Sequence, residues 1–391
     1  MSENRATVAN GPAILQIVPT LNAGGAERST IEMAATVASA GFTPLVASEG
    51  GRMVAELEAV GGEWICIPAN AKSPWLLIAN ARRYTQIIRE RNVVLVHARS
   101  RAPAWSALWA TRRTHTPFVT TWHGAYSAEN AAKRFYNSVM LRGDAVIANS
   151  QWTADHIHSV YSFRPKKLVV IPRGVDPAVF DPRSVSPDRV SGLRAQWNAR
   201  EGDVVVLLPG RLTRRKGHLV LIDALGELAR EFGTLRAVFA GEPHRHDEFA
   251  AELVRAIERQ GLTHVVTIAG HVQDMAAAYL AADIVVSATI EPEAFGRVAA
   301  EAAAMERPVI ATNHGGACEI VLPGISGYLV PPGDADALAT SLRQLLKTDS
   351  DGRGAMGTHG REHVLSRFTL ARMTGDTLAL YRELLMQQSG K

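Results

Sequence analysis

Cysteine is almost missing from this 391-residue sequence: Cys66 and Cys318 are far apart and show no metal-ligand spacing. So few thiols exclude a disulfide framework and point to a reducing cytoplasm. No apolar run approaches the roughly 18 residues of a membrane-spanning helix, which excludes an integral membrane protein. Met1 to Pro12 lack the charged-then-apolar layout of a secretory leader and read as a flexible tail. No GxxxxGK[ST] occurs, so Walker-type nucleotide chemistry has no support. Charged residues make up 20% and hydrophobic ones 47%, the balance of a globular chain. At about 150 residues per domain, this length predicts two or three domains.

The net charge of +4 is unevenly spread. Residues 1–185 hold 20 Lys and Arg against 13 Asp and Glu, a net of +7, and the remainder holds 22 against 25. Six of the seven tryptophans precede residue 160. A basic, Trp-rich half suits an anionic partner or an anionic membrane surface. It equally describes solvated helix faces over a Trp-filled core.

Short apolar runs of strand length recur at Ile14–Pro19, Pro44–Ser48, Trp64–Ile67, Val93–His97, Phe118–Thr121 and Asp144–Ala148. Helical stretches such as Ala26–Ala40, Pro74–Arg91 and Ala102–Thr114 separate them. The pattern restarts with Val204–Leu208, Ala237–Ala240, Val265–Ile268, Ile284–Ser287 and Val309–Ala311, and closes on a helix over Leu370–Met386. Such alternation predicts two α/β, doubly wound, Rossmann-like domains facing a central cleft. Residues 176–187 carry three prolines and break the periodicity. The expected divisions are a tail over 1–12, a first domain over 13–180, a second over 188–368 and a C-terminal helical segment over 369–391.

Ligands in such sheets bind beyond the carboxyl ends of the strands, and the distinctive motifs lie there. Gly24 and Gly25 follow the first strand and open a helix, where amides can approach an anion; close strand-to-helix packing is the alternative. The motif is not GxGxxG. The run Gly210-Arg211-Leu212-Thr213-Arg214-Arg215-Lys216-Gly217 packs four cations into six residues, suited to a diphosphate, or to a solvated turn. In Glu293-Ala294-Phe295-Gly296-Arg297-Val298-Ala299-Ala300-Glu301 a helix should begin near Gly296. Its first amides would meet a phosphate, Glu293 would hold sugar hydroxyls, and Glu301 a ribose. Base contacts are expected from the loop holding His271 and Val272. Arg99 and Arg101 after a first-half strand, with Lys133 and Arg134 beside Tyr126, suit a carboxylate or phosphate on an acceptor. Asp334-Ala335-Asp336 matches a metal-binding DxD but follows Pro-Pro-Gly and reads as a helix cap. His244 to Glu248 reads as a polar turn, so no metal is expected.

Gly24-Gly25-Ala26-Glu27, Trp122-His123-Gly124, Ile171 to Asp176, Gly210-Arg211-Leu212 with Lys216-Gly217, and Glu293 with Glu301 together resemble the retaining GT-B glycosyltransferases of glycosyltransferase family 4. Thr312-Asn313-His314-Gly315-Gly316 with Glu319 is similar to that family's late donor-site loop. The resemblance runs from Ile14 to about Tyr381; one departure is Arg173, where members usually have Asn. It implies a GT-B fold, a nucleotide-sugar donor on the second domain, and no metal or other cofactor. Arg211 and Lys216 would stabilise the leaving diphosphate, whose oxygen takes the acceptor proton, and His123 would face the donor sugar. It also implies that the final helix packs on the first domain. The first domain further resembles bacterial lipopolysaccharide-core mannosyltransferases, which implies GDP-mannose and an anionic glycolipid acceptor. The expected setting is cytoplasmic, at most peripheral on the inner membrane face, with no nucleic-acid partner. A nucleotide-sugar epimerase or another GT-B enzyme using a UDP-sugar is the alternative function. A catalytically silent carbohydrate-binding protein is disfavoured by the intact Arg211, Lys216, Glu293 and Glu301.

Overall fold

A computed structural model describes residues 11–22, 24–71, 73–242 and 248–389. The chain divides into two units. One comprises Met1–Pro172 with Met373–Lys391, and the other Arg173–Arg372.

Among the described residues the first unit is built on seven strands: β1 (Ala13–Ile17), β2 (Thr43–Ser48), β3 (Glu63–Cys66), β4 (Val93–Ala98), β5 (Phe118–Trp122), β6 (Ala145–Ala148) and β7 (Leu168–Val170). All pair in parallel, in the order β3-β2-β1-β4-β5-β6-β7. Every residue of β1, β5 and β6 is buried, as strands covered by helices on both faces must be. Alternation along β1 sends Leu15 and Ile17 into one core and Ile14 into another. Tyr381, on the final helix Leu370–Ser389, fills the second of these cores.

The second unit repeats the plan with β8 (Val204–Pro209), β9 (Leu235–Ala240), β10 (Val266–Gly270), β11 (Ile284–Ser287), β12 (Val309–Thr312) and β13 (Gly327–Val330). Their parallel order is β10-β9-β8-β11-β12-β13. On β8, Val205 and Leu207 enter the core of one face, Val206 and Leu208 that of the other. The strand order reverses between β8 and β11, which makes the crevice beyond their carboxyl ends the topological switch point.

Two strands escaped the periodicity reading, and both are edges. β7 is three residues long, and β13 opens on Gly327. A Cβ on Gly327 would lie 1.8 Å from the Val309 carbonyl oxygen, so the strand forms through close backbone approach rather than a side-chain pattern. The proline-rich stretch also differs from expectation. The division falls at Pro172/Arg173, and residues 173–187 pack on the second unit. Val175 and Val185 are buried in its core and Phe180 packs against it. The apolar residues between the prolines have a surface to cover there. The second unit also runs on to Arg372, past the expected 368.

Candidate functional site

The loop after β8 is shaped by two glycines with positive φ. Gly217 has φ +74°, and a Cβ there would sit 1.8 Å from the Ala288 carbonyl oxygen. Gly210, at φ +139°, leaves room for the Lys216 stem, which runs 3.2 Å from where its Cβ would be. Lys216 is thereby held against β11's loop, where its Nζ donates to Glu293 Oε1 at 2.5 Å. Both side chains are largely covered, 15% and 17% exposed. Arg215 adds a second cation 3.7 Å from the same carboxylate oxygen. Arg211 stands exposed at the mouth of the loop, with no side-chain hydrogen bond among the described residues.

Glu293 is fixed from behind by the loop after β12. Gly316 N–H donates to the Glu293 carbonyl at 2.8 Å. Cβ atoms on Gly315 and Gly316 would fall 2.3 Å from that carbonyl and 2.5 Å from Phe295 Cα. His314 Nε2 lies 2.8 Å from the Thr289 carbonyl oxygen. Burial lowers the imidazole's pKa, opposed by that contact and by the negative charge of Glu293. The helix Arg297–Ala304 starts after Gly296, which takes φ +90° as its cap. Phe295 is buried just before it. Ala300 N–H donates to the Gly296 carbonyl, so the amides of Arg297 and Val298 precede the helical ladder.

Glu301 is 8% exposed and both its oxygens are engaged. Oε1 accepts from Arg297 Nε and Nη2 at 3.0 and 2.5 Å, and Oε2 from Tyr279 Oη at 2.9 Å. Burial, with Glu301 beside it, holds the Tyr279 hydroxyl well above its ordinary pKa, so it stays a donor. Sequence reasoning did not single out Tyr279; a lone tyrosine in the run Met275–Ala281 was its only signal. Of the two base-contact candidates, His271 is exposed and Val272 packs partly on the core. Asp334 Oδ1 accepts from Ala337 N–H at 2.8 Å and so caps the helix Ala335–Lys347. Among the described residues no three His, Cys, Asp or Glu side chains cluster as metal ligands. The stretch from His244 to Asp247 lies outside the described residues, as does Ala23.

The first unit places its candidates differently. Gly24 has φ +143° and precedes the helix Gly25–Ser39. Arg99, expected to reach an acceptor, is instead only 5% exposed. Its Nε and Nη2 donate to Gln16 Oε1 at 2.9 and 2.7 Å, and Nη1 to Ser29 Oγ at 3.3 Å. Burial lowers the guanidinium's pKa, and the planar fork is spent on tying β4 to β1. Arg101 lies 4.0 Å over the Tyr126 ring and donates to Asn137 Oδ1 at 2.9 Å. His123 follows β5, half-buried, its backbone N–H 3.5 Å from the Tyr126 hydroxyl. Lys133 binds Glu129 at 2.6 Å, and Arg134 donates to the Ala128 carbonyl at 3.0 Å. Both remain exposed.

Residues 191–363 match the model of glycosyl transferases group 1, and residues 23–179 that of glycosyltransferase family 4. A D-inositol 3-phosphate glycosyltransferase from Kineococcus radiotolerans is 30% identical over 332 residues, covering 77% of this chain and 74% of that protein. The chain belongs to the group 1 glycosyltransferases. A second D-inositol 3-phosphate glycosyltransferase, from Segniliparus rotundus, is 31% identical over 249 residues, 63% of this chain but only 54% of that protein's length. A crystal structure of a glycosyltransferase from Rickettsia africae superposes with a TM-score of 0.88 at 38% identity, covering 96% of this chain and 99% of that one. Anabaena HepE, crystallised in complex with UDP, gives 0.84 at 25% identity, covering 95% and 100%. With two parallel-sheet, Rossmann-like units, this glycosyltransferase has the GT-B fold. Among the described residues no helix is long and apolar enough to cross a membrane.

Proposed function

We infer that this glycosyltransferase moves a hexose, with retention and without a metal, from a nucleotide-diphosphate sugar to an anionic, membrane-held glycolipid. The observation that carries the donor half is the Lys216–Glu293 pair at the switch point, with exposed Arg211 beside it. Breaking the glycosidic bond builds negative charge on the diphosphate. Arg211 and Lys216, with the amides opening the helix at Arg297, are placed to meet it, and preorganised donors lower the barrier most where charge develops. Glu293 orients Lys216 and has a second oxygen for a sugar hydroxyl. Glu301 would exchange Arg297, which is about half exposed, for a ribose diol while Tyr279 holds its other oxygen. The phosphate oxygen takes the acceptor's proton, so no protein base is required.

For the donor, the first-unit motifs support mannose from GDP-mannose onto a lipopolysaccharide-core acceptor. The UDP bound to HepE supports the second reading, a UDP-sugar. Inositol 3-phosphate, in the names of the relatives, is likewise anionic. A thermal-shift panel of GDP-, UDP- and ADP-sugars decides the base, since a ligand that binds only the folded state raises Tm by mass action. Incubation of the stabilising sugar with and without a glycolipid tests transfer. Binding without any acceptor-dependent product would sink the transferase reading in favour of an epimerase or a silent binder.

A further inference from the structure

The first unit has a concave feature at the end of its sheet opposite Arg99 and His123. A cavity of about 540 Å³ opens at the amino ends of β5, β6 and β7, beside the last turn of the final helix. Arg112, Arg142 and Lys166 line it against a single carboxylate, Asp144, which Lys166 binds at 2.8 Å. Leu108, Phe118 and Leu384 add apolar wall.

Arg142 links this cavity to an aromatic surface. Its guanidinium lies 5.2 Å from the Phe163 ring and 5.8 Å from both Trp105 and Phe135. Trp105 in turn lies 5.3 Å from Phe135 and 6.3 Å from Trp109. Trp109, Phe135 and Phe163 are exposed, Phe135 to 62%. One helix over, Ser106 Oγ donates to the Leu77 carbonyl, where the first turn presents Trp75, 81% exposed, with Leu76 and Ile78. Scattered exposed apolar residues need no explanation, but a contiguous aromatic cluster around a cationic cavity does. None of these residues serves the donor site. The occupant must accept rings and supply negative charge together. An anionic bilayer does both: its headgroup layer takes amphipathic rings, and its phosphates meet Arg and Lys. The net +7 of residues 1–185 points the same way.

We propose that this face docks the enzyme on an anionic phospholipid bilayer. Trp109, Phe135 and Phe163 enter the headgroup layer, and the Arg112–Arg142–Lys166 cavity takes a lipid phosphate. The proposal rests on the reading of a membrane-held acceptor and names the surface that would hold the enzyme at the bilayer.

Cosedimentation of the full chain with phosphatidylcholine vesicles, with and without phosphatidylglycerol, is the test. The native protein should bind the anionic vesicles preferentially and lose binding as salt rises. Trp109→Ser with Phe135→Ser should lower partitioning about tenfold. Arg112→Gln with Lys166→Gln should lower it about thirtyfold, from two cations at about 1 kcal/mol each at an anionic surface. Thermal unfolding should shift only slightly in both, since all four side chains are at the surface or the cavity wall and lose only one exposed ion pair and partly exposed ring contacts. If the native protein binds and both double variants bind equally well, this surface is overturned while the membrane-held acceptor reading stands. A native protein that ignores anionic vesicles overturns both, and transfer to a soluble acceptor would still test the transferase reading. Self-association abolished by the aromatic variant, without vesicle binding, would assign the patch to a protein contact and overturn the proposal.

Discussion

Lys216 has two possible duties, pairing with Glu293 and meeting the leaving diphosphate, and a double-variant cycle separates them. Lys216→Ala leaves the Glu293 carboxylate, 17% exposed, with Arg215 at 3.7 Å as its nearest remaining cation. Breaking an exposed pair costs at most about 1 kcal/mol and a fully buried one about 3–5 kcal/mol. This pair lies between, and Arg215 recovers part, so we expect about 2 kcal/mol, or roughly 4–8 °C in Tm. Glu293→Gln should cost a similar amount, since Lys216 is then left mostly covered and unpaired. The double variant removes both charges, so its loss should be smaller than the sum of the two, with a coupling of about 1 kcal/mol or more. Turnover should not follow that recovery. Loss of one preorganised donor to a developing anion slows the reaction on the order of a hundredfold. The double variant should therefore stay at least that slow while its Tm rises toward the native value. Thermal denaturation and acceptor-dependent release of nucleotide diphosphate measure the two quantities on the same preparations. Turnover restored to within about threefold of native in the double variant would refute the leaving-group role and leave Lys216 as the counter-ion of Glu293.

Gly217→Ala should unfold or cripple the loop, because its Cβ would meet the Ala288 carbonyl at 1.8 Å as well as the left-handed backbone penalty. Gly202→Ala, at φ +83° with open space around it, should cost only about 1 kcal/mol in urea denaturation; equal losses at the two sites would refute the close-approach argument. Burial pushes the His218 imidazole down to about 4, so the folded chain declines a proton that the unfolded chain accepts near 6.5. Stability should therefore fall by about 3 kcal/mol as pH drops from 6.5 to 4, and His218→Leu should flatten that limb of the urea-denaturation profile. EDTA should leave transfer unchanged, and a loss rescued by Mg²⁺ or Mn²⁺ would bring Asp334 and Asp336 back as ligands.

By itself the sequence determined the architecture and the ends of the strands at which chemistry can occur. Short continuous apolar runs alternating with helical stretches admit few arrangements other than covered parallel sheets, and the runs at Val204–Leu208 and Ile284–Ser287 placed both motif loops after strands. Tertiary structure decided what each side chain does there. Lys216 and Glu293 are 77 residues apart, and only the β8–β11 pairing makes them an ion pair. Two arginines two residues apart, Arg99 and Arg101, looked equivalent as strand-end cations. One is buried as a strap between β4 and β1, and the other is stacked on Tyr126. Glu301 looked like an empty acceptor until Tyr279 and Arg297 filled both oxygens. Edge strands β7 and β13 were equally illegible, being recruited by a neighbour's backbone rather than by their own pattern. Periodicity is a property of local chain and solvent contrast, so it survives in one dimension. Burial and partner choice depend on which distant residues arrive at the same strand end, and that is set only when the sheets assemble.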